Sequence, residues 1–274
     1  MNNLLEVRHL TRAFGSTPAV DDISFTIGDR GCVALLGPNG AGKTTTLSML
    51  AGLLAPTSGE IRFPGLEGDR RSWIGYLPQT PAFFGWMTGR ETMVTAGRLC
   101  GLSAKQSASR AEELLGAVGL QDAANRKVSG YSGGMKQRLG LAQAVIHRPR
   151  LLILDEPVSA LDPVGRRDVL DMLRRWKRDM TVLLSTHILH DAEQVCDELI
   201  VLHRGKLLVQ GTLTELRRTA GPAAIRVKTA EEPSALPWLE SLSAMPGVLH
   251  AVGEEWERRL RTDSVDEVRA LLLR

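Results

Sequence analysis

Polar and apolar residues alternate through residues 23–27, so Ile23, Phe25 and Ile27 fall on one side of an extended segment. Period-two alternation predicts a strand buried on one face. Three later runs, CVALLG (32–37), LLILD (151–155) and TVLLS (181–185), are apolar almost without interruption. Strands apolar on both faces belong in a parallel sheet covered by helices. A helical pattern follows each run, which predicts an α/β fold. Between residues 88 and 130 no strand is expected. Leu99, Leu114, Leu115 and Val118 recur there at helical spacing, as in a helical insertion.

A second amphipathic helix is expected over 163–178, capped by Asp162 and opened by Pro163. It carries Arg166, Arg167, Arg174, Arg175, Lys177 and Arg178, but Asp168, Asp171 and Asp179 are interspersed. That mixture reads as a solvated face rather than a nucleic-acid surface. Composition changes near Gly221-Pro222. Beyond it the pattern reads β-α-β-β-α, the last helix opening at Ser264. The expected domains are therefore 1–218 and 222–274. Ile225, Val227, Leu242, Val248, Val252, Leu260, Val268 and Leu271 are the candidate core of the second. Some fifty residues make a small core, so this unit is expected to pack on the main domain or on a copy of itself.

Bulk properties narrow the function. The 274 residues suffice for one sizeable core and a small second domain. A formal charge of +3 does not suggest nucleic acid or an anionic membrane as partner. No run approaches the roughly 18 apolar residues of a membrane span, and Glu6 and Arg8 interrupt what would be the apolar part of a signal peptide. Three scattered cysteines, Cys32, Cys100 and Cys196, suit a reducing cytoplasm.

The chemistry begins at Gly37-Pro38-Asn39-Gly40-Ala41-Gly42-Lys43-Thr44-Thr45, which fits G-x-x-x-x-G-K-[ST] between a predicted strand and a predicted helix. Glycines let the backbone approach phosphates closely. The N–H groups and the helix dipole then attract the anion. Lys43 supplies charge at the β and γ phosphates, and Thr44 offers a hydroxyl to Mg²⁺. Asp155-Glu156 ends the strand 151–155, at the sheet edge where α/β proteins bind ligands. Two carboxylates there call for a metal, a water or a reactant. Asp155 is expected in the Mg²⁺ shell, and Glu156 as the group that polarises water. Tyr131-Ser132-Gly133-Gly134, ahead of the helix carrying Lys136 and Arg138, forms a second helix start suited to an anion.

Ser-Gly-Gly followed by a basic helix resembles the signature of the ABC transporter ATPases, and the family's other motifs follow in order. Phe14 matches its adenine-stacking aromatic, and Gln79 the glutamine between nucleotide, Mg²⁺ and membrane subunit. Residues 159–162, ending in Asp162, match its D-loop, and His187 the switch histidine at the γ-phosphate. Singly these residues say little; their order relative to the phosphate loop carries the resemblance over residues 4 to about 218. Tyr131 stands where many members have leucine, a variation associated with an exporter-type branch.

The resemblance implies a P-loop NTPase cassette with a parallel core sheet, an antiparallel β subdomain and a helical insertion at about 88–130, followed here by a small α+β domain. It implies ATP and Mg²⁺ as ligands. Glu156, His187 and Lys43 would be catalytic, and Thr44, Gln79 and Asp155 would surround the metal. A head-to-tail pair with a second copy would place Ser132, Gly133 and Gly134 on the partner's nucleotide. It further implies a separate transmembrane permease and a position on the cytoplasmic face of the membrane. The short C-terminal unit resembles the extension of ABC-2 type and drug-resistance exporters. A soluble ATPase of the same family is the alternative, but its ribosome- and DNA-acting members carry second cassettes, coiled coils or zinc cysteines not found here. Finally, Phe83, Phe84, Trp86 and Met87 cluster just after Gln79. They either contact the permease or fill a hinge between subdomains.

Overall fold

The computed structural model describes residues 3–219, 223–253, 256–262 and 264–272. The boundary expected at Gly221-Pro222 lies outside the described residues. By internal contacts the chain forms two compact units, Met1–Leu213 and Thr214–Arg274.

The first unit runs β1 (Asn3–Phe14), β2 (Thr17–Gly28), β3 (Gly31–Leu36), α1 (Lys43–Leu50), β4 (Ser58–Arg62), β5 (Ile74–Leu77), α2 (Gly89–Leu99), α3 (Ala104–Ala117), α4 (Gly133–Ala144), β6 (Leu151–Leu154), α5 (Pro163–Trp176), β7 (Thr181–Thr186), α6 (Leu189–Val195), β8 (Glu198–His203) and β9 (Lys206–Thr212). The core sheet has the order β5-β6-β7-β3-β8-β9, parallel except for the final β8–β9 hairpin. That hairpin turns through Arg204 and Gly205, both at positive φ, as a tight twisted hairpin requires. A separate antiparallel sheet, β2-β1-β4, forms the β subdomain. The alternation at 23–27 turns Ile23, Phe25 and Ile27 into one buried cluster with Leu35, Leu47, Ile153 and Leu183.

Register positions the chemistry. Leu36 pairs with Thr186 across β3 and β7, and Leu154 with Leu184 across β6 and β7. The loops after β3, β6 and β7 therefore leave the sheet at one edge, carrying residues 37–42, Asp155-Glu156 and His187 to one place.

The helical insertion is built from capped pieces. Thr88 and Glu91 form a capping box on α2, and Ser103 and Gln106 another on α3. Its interior uses Met93, Ala96, Ala111, Leu114, Leu115 and Val118. Leu99, expected inside, is exposed. It ends α2, beyond Gly97, the position that packs against Ser107.

Helix α5 also departs from expectation. Arg166 forks onto the buried Asp191, Arg174 donates to Gln194 O at 2.8 Å, and Lys177 donates to Val195 O at 2.9 Å and Asp197 at 2.6 Å. Half of the basic face clamps α6 and the turn after it, while Arg167, Arg175 and Arg178 are solvated.

α7 (Leu213–Thr219) leads into the second unit, whose strands β10 (Ala223–Lys228), β11 (Val248–Val252) and β12 (Glu257–Thr262) form an antiparallel sheet, β10-β12-β11, with helices α8 (Leu236–Ser241) and α9 (Val265–Leu272). Leu239, Leu242, Leu260 and Val268 are its buried centre, joined by Ile225, Val227, Met245, Val248, Ala251 and Leu272. Val252 and Leu271, expected inside, are exposed. For Val252 the cause is an irregularity between Val248 and His250, which brings Ala251 rather than His250 opposite Leu260 and so turns Val252 to the other face. One extra residue in a strand moves every later side chain to the other face.

Candidate active site

The phosphate loop needs its glycines for space. A methyl group on Gly37 would lie 2.4 Å from Leu202 O, and one on Gly42 would lie 2.5 Å from Ala19 O. Gly42 also adopts φ 98° immediately before α1, a conformation that side chains resist. Neighbouring backbone reinforces the loop: Gly205 N–H donates to Ala41 O at 3.1 Å, and Asp21 N–H to Gly205 O at 2.8 Å.

Lys43 is buried, at 6% exposure. Its ammonium donates to Gly37 O at 2.8 Å and Pro38 O at 3.2 Å and stands 3.5 Å from Glu156 Oε1. Asn39, Gly40, Ala41, Gly42, Lys43, Thr44, Thr45, Gln79 and Glu156 line one cavity of about 390 Å³ with Ala19. Two loops and a strand end separated by over a hundred residues thus converge, as the motif order predicts.

Asp155 is almost fully buried. Its N–H donates to Leu77 O at 2.9 Å, and its Oδ1 accepts the Ser185 hydroxyl at 2.6 Å. Glu156 is held at φ 48°, a left-handed conformation that costs a non-glycine residue energy and persists where surrounding contacts enforce it. Both its carboxylate oxygens lie 3.1 Å from His187 Nδ1. Lys43, Glu156 and His187 therefore form one chain of contacts. Thr44 and Gln79 bring a hydroxyl and an amide oxygen to the cavity, donors of the hard kind that Mg²⁺ takes, whereas Asp155 is not among its lining residues.

Other expected residues stand apart from the cavity lining. Ser132 caps α4 by accepting the Met135 N–H at 3.2 Å, and nothing lies within 4 Å of where Gly133 would carry a side chain. A methyl at Gly134 would meet Leu161 Cδ2 at 3.2 Å. Asp162 spends its carboxylate capping α5 through the Gly165 N–H. Phe14 is 54% exposed at the end of β1, with the Arg12 guanidinium 4.7 Å from its ring centre. In the segment after Gln79, Phe84 and Trp86 are 68% and 70% exposed and lie 5.8 Å apart, and Phe83 is half-buried. Met87 is buried; its carbonyl accepts the Val128 N–H, so it belongs to the interior rather than to a contact surface.

Sequence reasoning missed Ser185 and Gln137, and it named Tyr131 without its packing role. Ser185 joins both acids. Gln137, buried on α4, donates to Pro157 O at 3.1 Å and ties the signature helix to the loop after Glu156. Tyr131, also buried, donates to Ala123 O at 2.7 Å and fills the space left by Gly89, where a methyl would lie 2.2 Å from its hydroxyl. Only Ser185 left a signal, its place two residues before His187.

A family profile described as ABC transporter matches residues 20–159, just over half of the chain. Among curated relatives, the uncharacterized ABC transporter ATP-binding protein YxlF of Bacillus subtilis is 50% identical over 90% of this chain and 83% of its own length. The bacitracin transport ATP-binding protein BcrA of Bacillus licheniformis is 37% identical over 80% of this chain and 72% of its own. Among solved structures, the dimeric post-hydrolysis state of the ATP-binding cassette MJ0796, bound to ADP and Pi, aligns with a TM-score of 0.69 at 25% identity, covering 76% of this chain and 98% of that one. A phosphate loop, paired acids and His187 gathered on one parallel-sheet edge, in a chain with these relatives, lead to one assignment: the chain belongs to the ABC transporter ATP-binding family and is an ATP hydrolase of the P-loop class.

Proposed function

We propose that this subunit binds MgATP and hydrolyses it as a head-to-tail pair with a second copy, driving a separate transmembrane permease that exports its substrate. The observation that carries the pairing is the separation described above. The phosphate loop and Glu156 line one cavity, while the Ser132–Gly134 helix start is capped on itself and open beyond Gly133. An anion site with no anion-binding loop facing it is completed by the nucleotide of a partner. The cassette MJ0796 is described as a dimer bound to ADP and Pi, which supports the same arrangement. The export direction rests on relatives described as bacitracin transport and Nod factor export ATP-binding proteins.

In this reading Lys43 and the N–H groups of residues 39–45 hold the phosphates, and Phe14 stacks on the base. Thr44, Gln79 and Asp155 would hold Mg²⁺, which would supply positive charge against the phosphates. Glu156 accepts the proton of the attacking water, and His187, in contact with Glu156, contacts the γ-phosphate. Asp162 ends the D-loop and faces the partner. No helix among the described residues is long and apolar enough to cross a membrane. In this reading the subunit works at the cytoplasmic face through its permease. Phe84 and Trp86, an exposed aromatic pair on a loop, are the permease anchors in this reading.

Glu156→Gln tests it. The variant keeps the shape and loses the base, so nucleotide binds and turnover falls by roughly 10²–10⁴. With MgATP it accumulates as a dimer by size-exclusion chromatography with light scattering. A monomer at saturating MgATP, in the presence of the permease, would refute the paired mechanism.

A further inference from the structure

The acids at the edge of the core sheet are not self-supporting. Glu156 occupies a left-handed conformation, and Asp155 is a carboxylate with almost no exposure. Both features need a partner that enforces them. We infer that Ser185 is that partner: a positioning residue for hydrolysis that holds Asp155 and Glu156 together through a single hydroxyl. The inference rests on the reading of Asp155 and Glu156 as the metal-binding and water-activating acids.

The geometry is specific. Leu184 pairs with Leu154, the last residue of β6, so Ser185 stands one step further along β7, beside Asp155. Its side chain is fully buried. A serine hydroxyl has one hydrogen to give and lone pairs to receive, and both capacities are used here. The hydrogen goes to Asp155 Oδ1 at 2.6 Å, and the oxygen accepts the Glu156 N–H at 2.9 Å. The first bond, short and charge-assisted, fixes the rotation of the Asp155 carboxylate. The second pins the Glu156 backbone where its φ is least comfortable, and a further bond from Ser159 Oγ to Glu156 O at 3.0 Å holds the other side of that residue. The next two residues continue the device. His187 contacts the Glu156 carboxylate, and the Thr186 hydroxyl accepts the Ile188 N–H at 3.0 Å, closing the turn around His187. Ser185 thus aims the acids from beneath, while His187 meets Glu156 from the solvent side.

An alternative role is purely structural, the satisfaction of a buried backbone N–H. The two roles separate by what they move. As a positioning residue, Ser185 controls the Mg²⁺-dependent part of ATP binding and the turnover number, and leaves Mg²⁺-free binding alone, because its hydroxyl bonds Asp155 and Glu156 and, among the described residues, no group of the phosphate loop. As a structural residue, it supports everything equally.

The test uses the full-length subunit with Ser185→Ala and Ser185→Cys, and Glu156→Gln as reference. Affinity for trinitrophenyl-ATP is measured with and without Mg²⁺, and kcat and KM for ATP are measured at saturating Mg²⁺. Loss of one hydrogen bond to a charged group predicts a kcat lower by roughly 10- to 100-fold in Ser185→Ala. KM and Mg²⁺-free nucleotide affinity are expected to stay near wild type, and the gain in affinity on adding Mg²⁺ to shrink. Ser185→Cys keeps the volume and a weak donor and is expected to fall between, which guards against a folding failure of the alanine variant. Turnover within about twofold of wild type with an unchanged Mg²⁺ response would overturn the inference. So would parallel losses in Mg²⁺-free binding and turnover in both variants. Wild-type turnover in Glu156→Gln would instead refute the role given to Glu156, and any Ser185 defect would then act through Asp155 alone.

Discussion

Helices α1 and α4 both start beside glycines, and both starts point backbone N–H groups outward, yet their surroundings are opposite. At α1 the approach is crowded: Gly42 faces Ala19 O, Lys43 is buried, and the cavity walls come from four parts of the chain. At α4 the first turn is satisfied by its own Ser132, Gly133 faces open space, and the firm contacts lie deeper, through Gln137 to Pro157 O and Tyr131 to Ala123 O. One start is finished within the molecule. The other is braced from behind and left open in front, the form expected of a surface completed from outside.

Substitutions at the two starts should separate these properties. The largest effect is expected at the closed one. Lys43→Ala removes the buried ammonium, and MgATP binding or hydrolysis should be nearly abolished in a nucleotide-binding assay. Wild-type affinity and turnover would place the site elsewhere. Gly42→Ala should lose nucleotide binding and also lower the melting temperature, since a methyl cannot be housed 2.5 Å from Ala19 O at φ 98°. The open start should behave differently. Gly133→Ala is expected to leave thermal stability within about 0.5 kcal/mol and nucleotide affinity of the isolated subunit unchanged, while reducing ATP-driven pairing measured by light scattering. Equal pairing would remove Gly133 from the partner's nucleotide.

Smaller effects follow away from both helices. Phe14→Ala should weaken ATP by about 1–3 kcal/mol, the scale of stacking a base on an aromatic ring, read by titration calorimetry. Trp86→Ala should change ATPase activity of the isolated subunit little and should cost copurification with the permease. An unfolded variant would instead make Trp86 a packing residue, which its 70% exposure argues against.

The difference between the two starts also marks what could be read in advance. The phosphate loop was legible because its requirements are local: glycines, a lysine and a hydroxyl within nine consecutive positions between a strand and a helix. The three apolar runs were legible as core strands because burial on both faces leaves no polar position. Ser185 was not, because its partners lie about thirty residues away and meet it only through strand pairing. Nor could α5 be read. Its arginines and lysine carry the same letters whether they face water or, like Arg166, a buried aspartate on α6. Val252 shows a third cause, since a single irregularity in β11 reverses an alternation that was otherwise well placed.

The contacts behind the phosphate loop have a mechanical consequence. Ala19 O lies against Gly42, and Gly205 bonds both Ala41 and Asp21, so the strand pair bearing Phe14 and the loop bearing Lys43 share one frame. On the proposed reading, a nucleotide stacked on Phe14 and held at its phosphates by the loop would find the distance between the two grips already set. Little ordering is then left to oppose binding.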